Sequence, residues 1–265
     1  MTKHVISSAL AAGALGVFVL WAQAPAQLTA PSGGSQNQVK AKKKKGPPEG
    51  PTPKLSDGHV DLSGVWNGGG PVGDLAQGMP KGESIPLTAE GLKVMKSRQS
   101  KDDPEANCLP TGIPRIAPYP WRVVQTPTHI FFLFEGNIHS FRQIFIDGRK
   151  HVADPDPTWY GDSIGSWDGD TMVVDTIGFN DKFWFDFRGH PHTEQLHTIE
   201  RYTRLNLGQM SVETTIIDPA YYSKPFTVKF MATLRPGEEL MEYICQENQQ
   251  DAQHLQGGAD APSRP

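Results

Sequence analysis

Gly161-Asp162-Ser163-Ile164-Gly165-Ser166-Trp167-Asp168-Gly169-Asp170-Thr171-Met172-Val173-Val174-Asp175-Thr176-Ile177 sets the architecture of this chain. Asp-Gly between two runs of alternating character is a strong hairpin signal, because a type I′ turn needs positive φ at both central residues. The stretch reads as a strand over 161–167, a turn at Asp168-Gly169 and a second strand over 170–177. Asp162, Ser163, Asp175 and Thr176 lie in or beside the strands rather than at the turn. Part of the ribbon therefore faces water, a polar cavity or a ligand.

The same pattern repeats outward. Strand patterns over 121–126, 129–135 and 138–146 precede the hairpin, and others over 195–205, 209–217, 226–234 and 240–247 follow it. Pro127, Gly136-Asn137, Asp147-Gly148, Asn206-Leu207-Gly208 and Pro236-Gly237 punctuate them. With an opening strand at 60–66 the set reaches about ten, and a meander of that size closes into a barrel or splits into packed sheets because open edges are a liability. The expected fold is all-β, an antiparallel meander closing into a barrel. One short helix is expected over 87–95, with Thr88 as its N-cap. Residues 107–120 hold Pro110, Pro114, Pro118 and Pro120 and read as an irregular crossing.

Two strands carry charge on either face. Over 195–204 one face holds Gln195, His197, Ile199, Arg201 and Thr203, and the other Leu196, Thr198, Glu200, Tyr202 and Arg204. Over 138–146 His139, Phe141, Gln143 and Phe145 oppose Ile138, Ser140, Arg142, Ile144 and Ile146. Whichever face of 195–204 points inward brings a titratable group with it, and buried charge is costly unless paired. A lined cavity with some polar groups, rather than a dry core, is expected.

The ends differ from the middle. Lys3 and His4, an apolar run over 5–21 and Ala24-Pro25-Ala26 form the layout of a secretory signal peptide over 1–26. The protein is thus expected in the periplasm or secreted, with no stable membrane insertion after cleavage. Residues 27–57, rich in Pro, Gly and Lys, read as a disordered linker, 58–250 as the barrel domain and 251–265 as a disordered tail. Residues 1–57 hold seven of the 25 Lys and Arg but two of the 29 Asp and Glu. The remainder is therefore acidic, which argues against nucleic acid as a partner. Cys108 and Cys245 are the only cysteines, and in an exported protein they are expected to be joined. Closing so long a loop contributes on the order of 4–5 kcal/mol in the chain-entropy model.

Gly64-Val65-Trp66 followed by a meander resembles the Gly-x-Trp opening of lipocalins and related calycin barrels. The resemblance implies a lipocalin-like barrel whose Trp closes one end and packs on an Arg from a late strand, here Arg201 against Trp66. Where lipocalins have a hairpin, this chain has residues 67–120. The stretch from Cys108 through Asp-Pro-Thr-Trp, Ser-Ile-Gly-x-Trp-x-Gly-Asp-Thr, Val-Val-Asp-Thr-x-Gly-Phe-Asn, Pro-His-Thr-Glu and Glu-Tyr-Ile-Cys is similar to an uncharacterised family of exported bacterial proteins. That similarity implies export and a shared fold, and brings no reaction with it.

The densest chemistry lies in Arg188-Gly189-His190-Pro191-His192-Thr193-Glu194-Gln195-Leu196-His197. His-x-His on an extended segment points both rings to one side, so His190, His192 and His197 with Glu194 or Glu200 form a candidate set for Zn²⁺ or another divalent ion. The competing reading makes them hydrogen-bonded loop and wall residues. Metal-free acid–base work would pair His192 or His197 with Asp162, Asp175 or Glu194, with Arg142 or Arg201 stabilising an enolate or carboxylate. His139, Trp159, Tyr160 and Trp184 complete a candidate ligand-binding set with Arg142 and Arg201. Phe183-Trp184-Phe185 reads as a loop exposing aromatics at a pocket mouth, whereas Trp167 and Phe179 suit core packing. No Gly-x-Ser-x-Gly is present, which disfavours serine hydrolase chemistry.

The leading expectation is an exported barrel holding a small, largely apolar or mixed-polarity molecule in its interior. Its rival is a periplasmic isomerase, lyase or hydrolase using the same pocket, and a surface interaction module is a third class.

Overall fold

A computed structural model of the chain describes residues 46–117, 119–136 and 138–248. The expected signal peptide, most of the linker and the tail lie outside these residues. Among them nine strands form: β1 (Gly64–Gly68), β2 (Trp121–Gln125), β3 (His129–Phe134), β4 (Ser140–Phe145), β5 (Asp162–Asp168), β6 (Thr171–Ile177), β7 (His197–Arg204), β8 (Gln209–Ile217) and β9 (Phe226–Leu234). They close into one barrel in chain order. Helix α1 (Ala89–Ser97) begins where Thr88 accepts the Gly91 N–H, so an orphan donor of the first turn is satisfied by the side chain.

Side-chain alternation orients every strand. In β7 Thr198, Glu200, Tyr202 and Arg204 point inward, and His197, Ile199, Arg201 and Thr203 outward. Inside, Trp121, Phe132 and Tyr202 meet edge to face, with centroids 4.9 Å apart for Trp121–Phe132 and 5.2 Å for Phe132–Tyr202. Such pairs add about 0.5–1.5 kcal/mol beyond the area they bury.

The hairpin forms with its turn displaced by one residue from the expected place. Asp168 pairs with Thr171, so Gly169 and Asp170 are the central pair, and of these only Gly169 has positive φ, at 59°. That is the type II′ pattern, which needs Gly at the first central position.

One neighbour pair is parallel. β4 and β5 share only Ile144↔Ser163 and Phe145↔Ile164, whereas β5 and β6 share seven pairs. The meander is therefore mixed rather than wholly antiparallel. A parallel pair requires the chain to return to its starting end, and residues 146–161 make that return.

Trp66 is fully buried, donates Nε1–H to the Leu62 carbonyl at 2.9 Å, and lies under the Arg204 guanidinium at 4.9 Å. Arg201, the expected partner, points outward and pairs with Asp168 at 2.7 Å. Strand alternation places Arg204 on the inner face and denies it to Arg201. The end of the expected linker also packs here. Leu207 donates its N–H to Gly50 at 2.9 Å and Lys54 pairs with Asp170 at 2.6 Å.

Residues 240–247 do not form the expected strand. Two of their amides go to side chains instead, Met241 N–H to Glu135 at 2.8 Å and Tyr243 N–H to His139 Nε2 at 2.9 Å. The segment ends in a short 3₁₀ turn, Cys245–Asn248, tied to Cys108 by a disulfide 137 residues apart in sequence. Removing the disulfide with Cys108→Ser and Cys245→Ser should lower unfolding free energy by about 3–5 kcal/mol, measured by urea denaturation. A loss below about 1 kcal/mol would mean that the segment is held by its other contacts.

Candidate functional site

The barrel interior is charged at its centre and nearly full. Arg142 on β4 donates Nε–H to Ser163 at 3.1 Å, and Nη2–H to Thr176 at 2.7 Å and Glu200 at 2.5 Å. Tyr202 O–H donates to the other Glu200 oxygen at 2.6 Å. Burial works to lower the Arg142 pKa, but Glu200 and Tyr202 outweigh it and hold it above the usual guanidinium value. Burial, then Glu200, pushes the Tyr202 phenol well up. The expected polar interior is thus present as an ion pair. The space beside it, bounded by Trp121, Phe132, Phe134, Glu200, Tyr202 and the 113–117 crossing, is only about 20 Å³. That is room for about one water, not for a small organic molecule.

A larger space than this lies at the β4–β5 seam. Where the two strands diverge, a groove of about 420 Å³ opens between β4 and the returning crossover. Phe141, Arg142, Gln143, Phe145, Trp159, Tyr160 and Asp162 line it together with Pro110. Phe141 is 61% exposed, and Tyr160 stacks on Phe134 at 5.7 Å while its hydroxyl meets Ser140 at 2.7 Å. Arg142, Trp159 and Tyr160, three of the candidate ligand-binding residues, come together here. His139 lines a separate groove of about 530 Å³ with Glu135, Phe141 and Met241.

On the outer face, strand parity collects titratable groups. Ile164 pairs with Asp175 and Asp175 with Ile199, so Asp162 and His197 sit diagonally on either side of Asp175. His197 Nε2 lies 2.8 Å from Asp175 Oδ1, which brings together one of the candidate acid–base pairs. His151, from the crossover, bridges the two carboxylates, Nδ1 to Asp162 Oδ2 at 2.8 Å and Nε2 to Asp175 Oδ1 at 3.0 Å. Sequence reasoning missed His151. No local pattern marks it, and only the crossover demanded by a parallel pair lays it against the barrel wall.

The other two candidate metal histidines, His190 and His192, lie before β7 among the plug residues. His190 Nδ1 lies 2.6 Å from Asp186, whose carboxylate also accepts the Leu75 and His190 amides at 2.6 and 3.1 Å. Burial works to raise the Asp186 pKa, but the His190 ring and these amides outweigh it and lower it. Asp74, Asp186 and His190 offer ligand atoms all within 4.8 Å of one another, the one such set among the described residues. His190, His192 and His197 do not gather. His192 is wedged against Phe183 and Phe185, with centroids 3.8 and 5.0 Å away, and its Nδ1 faces the Thr193 carbonyl at 3.3 Å.

Phe183, Trp184 and Phe185 are buried, correcting the reading of an aromatic pocket mouth. They plug the barrel end, where a Cβ on Gly112 would meet the Phe183 ring at 2.4 Å. Trp184 takes the Arg98 guanidinium at 4.7 Å over its ring. Glu194 is exposed on the turn before β7. No family model, curated protein or solved structure matches the chain.

Two expectations test this geometry. Arg142→Met alone strands Glu200 in the core and should cost about 3–5 kcal/mol of stability. Adding Glu200→Leu should recover part of that loss in urea unfolding; a double variant no better than the single would refute the pairing. Burial holds the His192 pKa down to about 3, so the folded chain keeps the ring neutral. The associated stability is complete above the unfolded value near 6.5 and is lost as pH falls from there towards 3, at about 1.4 kcal/mol per pH unit. Between pH 6.5 and 5 the parent should lose about 2 kcal/mol more than His192→Gln.

Proposed function

We propose that the protein is an exported carrier that binds a small, largely apolar molecule at the β4–β5 seam rather than inside the barrel. The observation that carries this reading is the groove of about 420 Å³ faced by Phe141, Phe145, Trp159 and Tyr160. Its size falls in the range of small-molecule sites, about 300–1,000 Å³, and so does its composition of aromatic walls with few polar groups. Asp162 at its margin supplies a polar contact that orients a mixed-polarity ligand, whereas the Arg142 guanidinium is turned into the barrel and taken up by Ser163, Thr176 and Glu200. The disulfide is in keeping with an oxidising compartment, and no described helix is long and apolar enough to cross a membrane. The likeness to calycin barrels remains part of this proposal, supported by the closed barrel and by Trp66 under Arg204.

A second reading follows from the Asp162–His151–Asp175–His197 chain. Because Asp162 also lines the groove, a bound molecule would meet a carboxylate hydrogen-bonded to His151, a pair of residue types suited to the acid–base work of an isomerase or lyase.

Titration with the apolar fluorophore 1-anilinonaphthalene-8-sulfonate, followed by its emission and by tryptophan quenching, tests the carrier. Phe141→Ala and Trp159→Ala should each weaken binding by about tenfold, the loss of roughly 1.4 kcal/mol of apolar contact. Thr214→Val, inside the barrel, should leave it unchanged. Affinity insensitive to both groove variants, or no saturable binding, would overturn the proposal.

A further inference from the structure

We propose that the outer barrel face carries a divalent-metal site in which His151 Nε2, His197 Nε2 and Asp175 are the ligands and Asp162 orients His151. None of the three ligands lines the groove, and Asp162 alone belongs to both.

The argument starts from lone pairs. Two imidazole nitrogens from different parts of the chain converge on a single oxygen, Asp175 Oδ1, at 3.0 and 2.8 Å. The other nitrogen of His151 already faces Asp162 Oδ2 at 2.8 Å, an oxygen that also accepts the Val152 N–H at 3.2 Å. A neutral imidazole has one N–H. If it is on Nδ1 and given to Asp162, the Nε2 lone pair points at a carboxylate oxygen, and the two repel. A cation between them reverses the sign of that contact. With both rings neutral the four groups sum to two negative charges, which a divalent ion offsets.

The donor set fits such an ion. Two imidazoles and a carboxylate are borderline-hard ligands suited to Zn²⁺, with a fourth position left for water. A carboxylate behind a ligating histidine fixes its tautomer and raises its basicity, and Asp162 stands in that place.

The tighter cluster at Asp74, Asp186 and His190 is a poorer candidate despite its closer atoms. Asp186 is already taken up by two backbone amides and the His190 ring. Arg188, 3.4 Å from Asp74, brings positive charge to the place an ion would occupy. That cluster closes a turn. The outer set is looser, with its two nitrogens on either side of Asp175 Oδ1 and its ligand atoms not all within 4.8 Å of one another, but Asp175 and His197 are 39% and 34% exposed, which leaves their side chains room to close on an ion. The other cation near Asp162, Arg149, is engaged by Asp147 at 2.6 Å.

The test is calorimetric titration of chelator-treated protein with ZnCl₂ at pH 7.5. One Zn²⁺ per chain is expected. His151→Ala and His197→Gln should each weaken it roughly 100-fold, and Asp162→Asn roughly tenfold, as loss of an orienting partner does. Affinity should fall as pH drops, because protons compete for the same nitrogens. His197→Gln keeps an amide donor to Asp175, so loss of binding with an unchanged thermal midpoint reports the ligand and not the fold. No stoichiometric binding at pH 7.5 would overturn the proposal, leaving a network held by a proton alone. Binding that survives both histidine variants but is lost in His190→Asn would overturn it equally.

Discussion

Arg142 fastens the barrel where its backbone is least able to fasten itself. The β4–β5 seam has two residue pairs, and across it from inside Arg142 reaches Ser163 on β5, Thr176 on β6 and Glu200 on β7. Four consecutive strands are joined by one side chain. An ion pair in so apolar a place is a weak source of net stability, because desolvation offsets its attraction. Its contribution is positional. Register at the seam is set by where the guanidinium finds three acceptors at once, since two pairs of backbone contacts alone specify it poorly.

The outer face answers the inner one. Residues 146–161 run back along the wall, and His151 ties them to β5 and β6 through Asp162 and Asp175. Arg142 and His151 thus clasp the same seam from opposite sides. Between them lies the groove, with Trp159 and Tyr160 carried on the crossover and Phe141 and Phe145 on β4. A ligand seated there would touch both the strand and the returning chain, so its binding and the seam's cohesion are coupled. The packed interior supplies a floor rather than a receptacle, held by the edge-to-face contacts of Trp121, Phe132 and Tyr202.

Much of the fold was legible because strand alternation is a local signal. The hairpin, the Thr88 cap and the last two strands follow from residue spacing, and β8 and β9 coincide with the expected spans. The inward face of β7 was not legible, since either parity carried a charge and only pairing with Arg142 selects Glu200 over Arg201. The site was legible in pieces. Asp175 and His197 stand on neighbouring strands with matching parity, and Trp159 and Tyr160 share an aromatic run. His151 could not be seen, because a crossover's path depends on which strands pair in parallel. The Phe183-Trp184-Phe185 run misled for a similar reason. An irregular segment rich in aromatics looks alike whether it edges a pocket or stops a barrel end, and the difference lies in long-range contacts such as His192 on Phe183.

The number of strands has a consequence of its own. Around a closed ring, neighbours can all run in opposite directions only if the count is even. Nine is odd, so at least one pair must run alike, and with β1 and β9 antiparallel that pair falls at β4 and β5. Had residues 240–247 joined the sheet as a tenth strand, the ring could have alternated throughout. By giving their amides to Glu135 and His139 instead, they leave the ring its arithmetic mismatch, and the groove is where that mismatch comes to the surface.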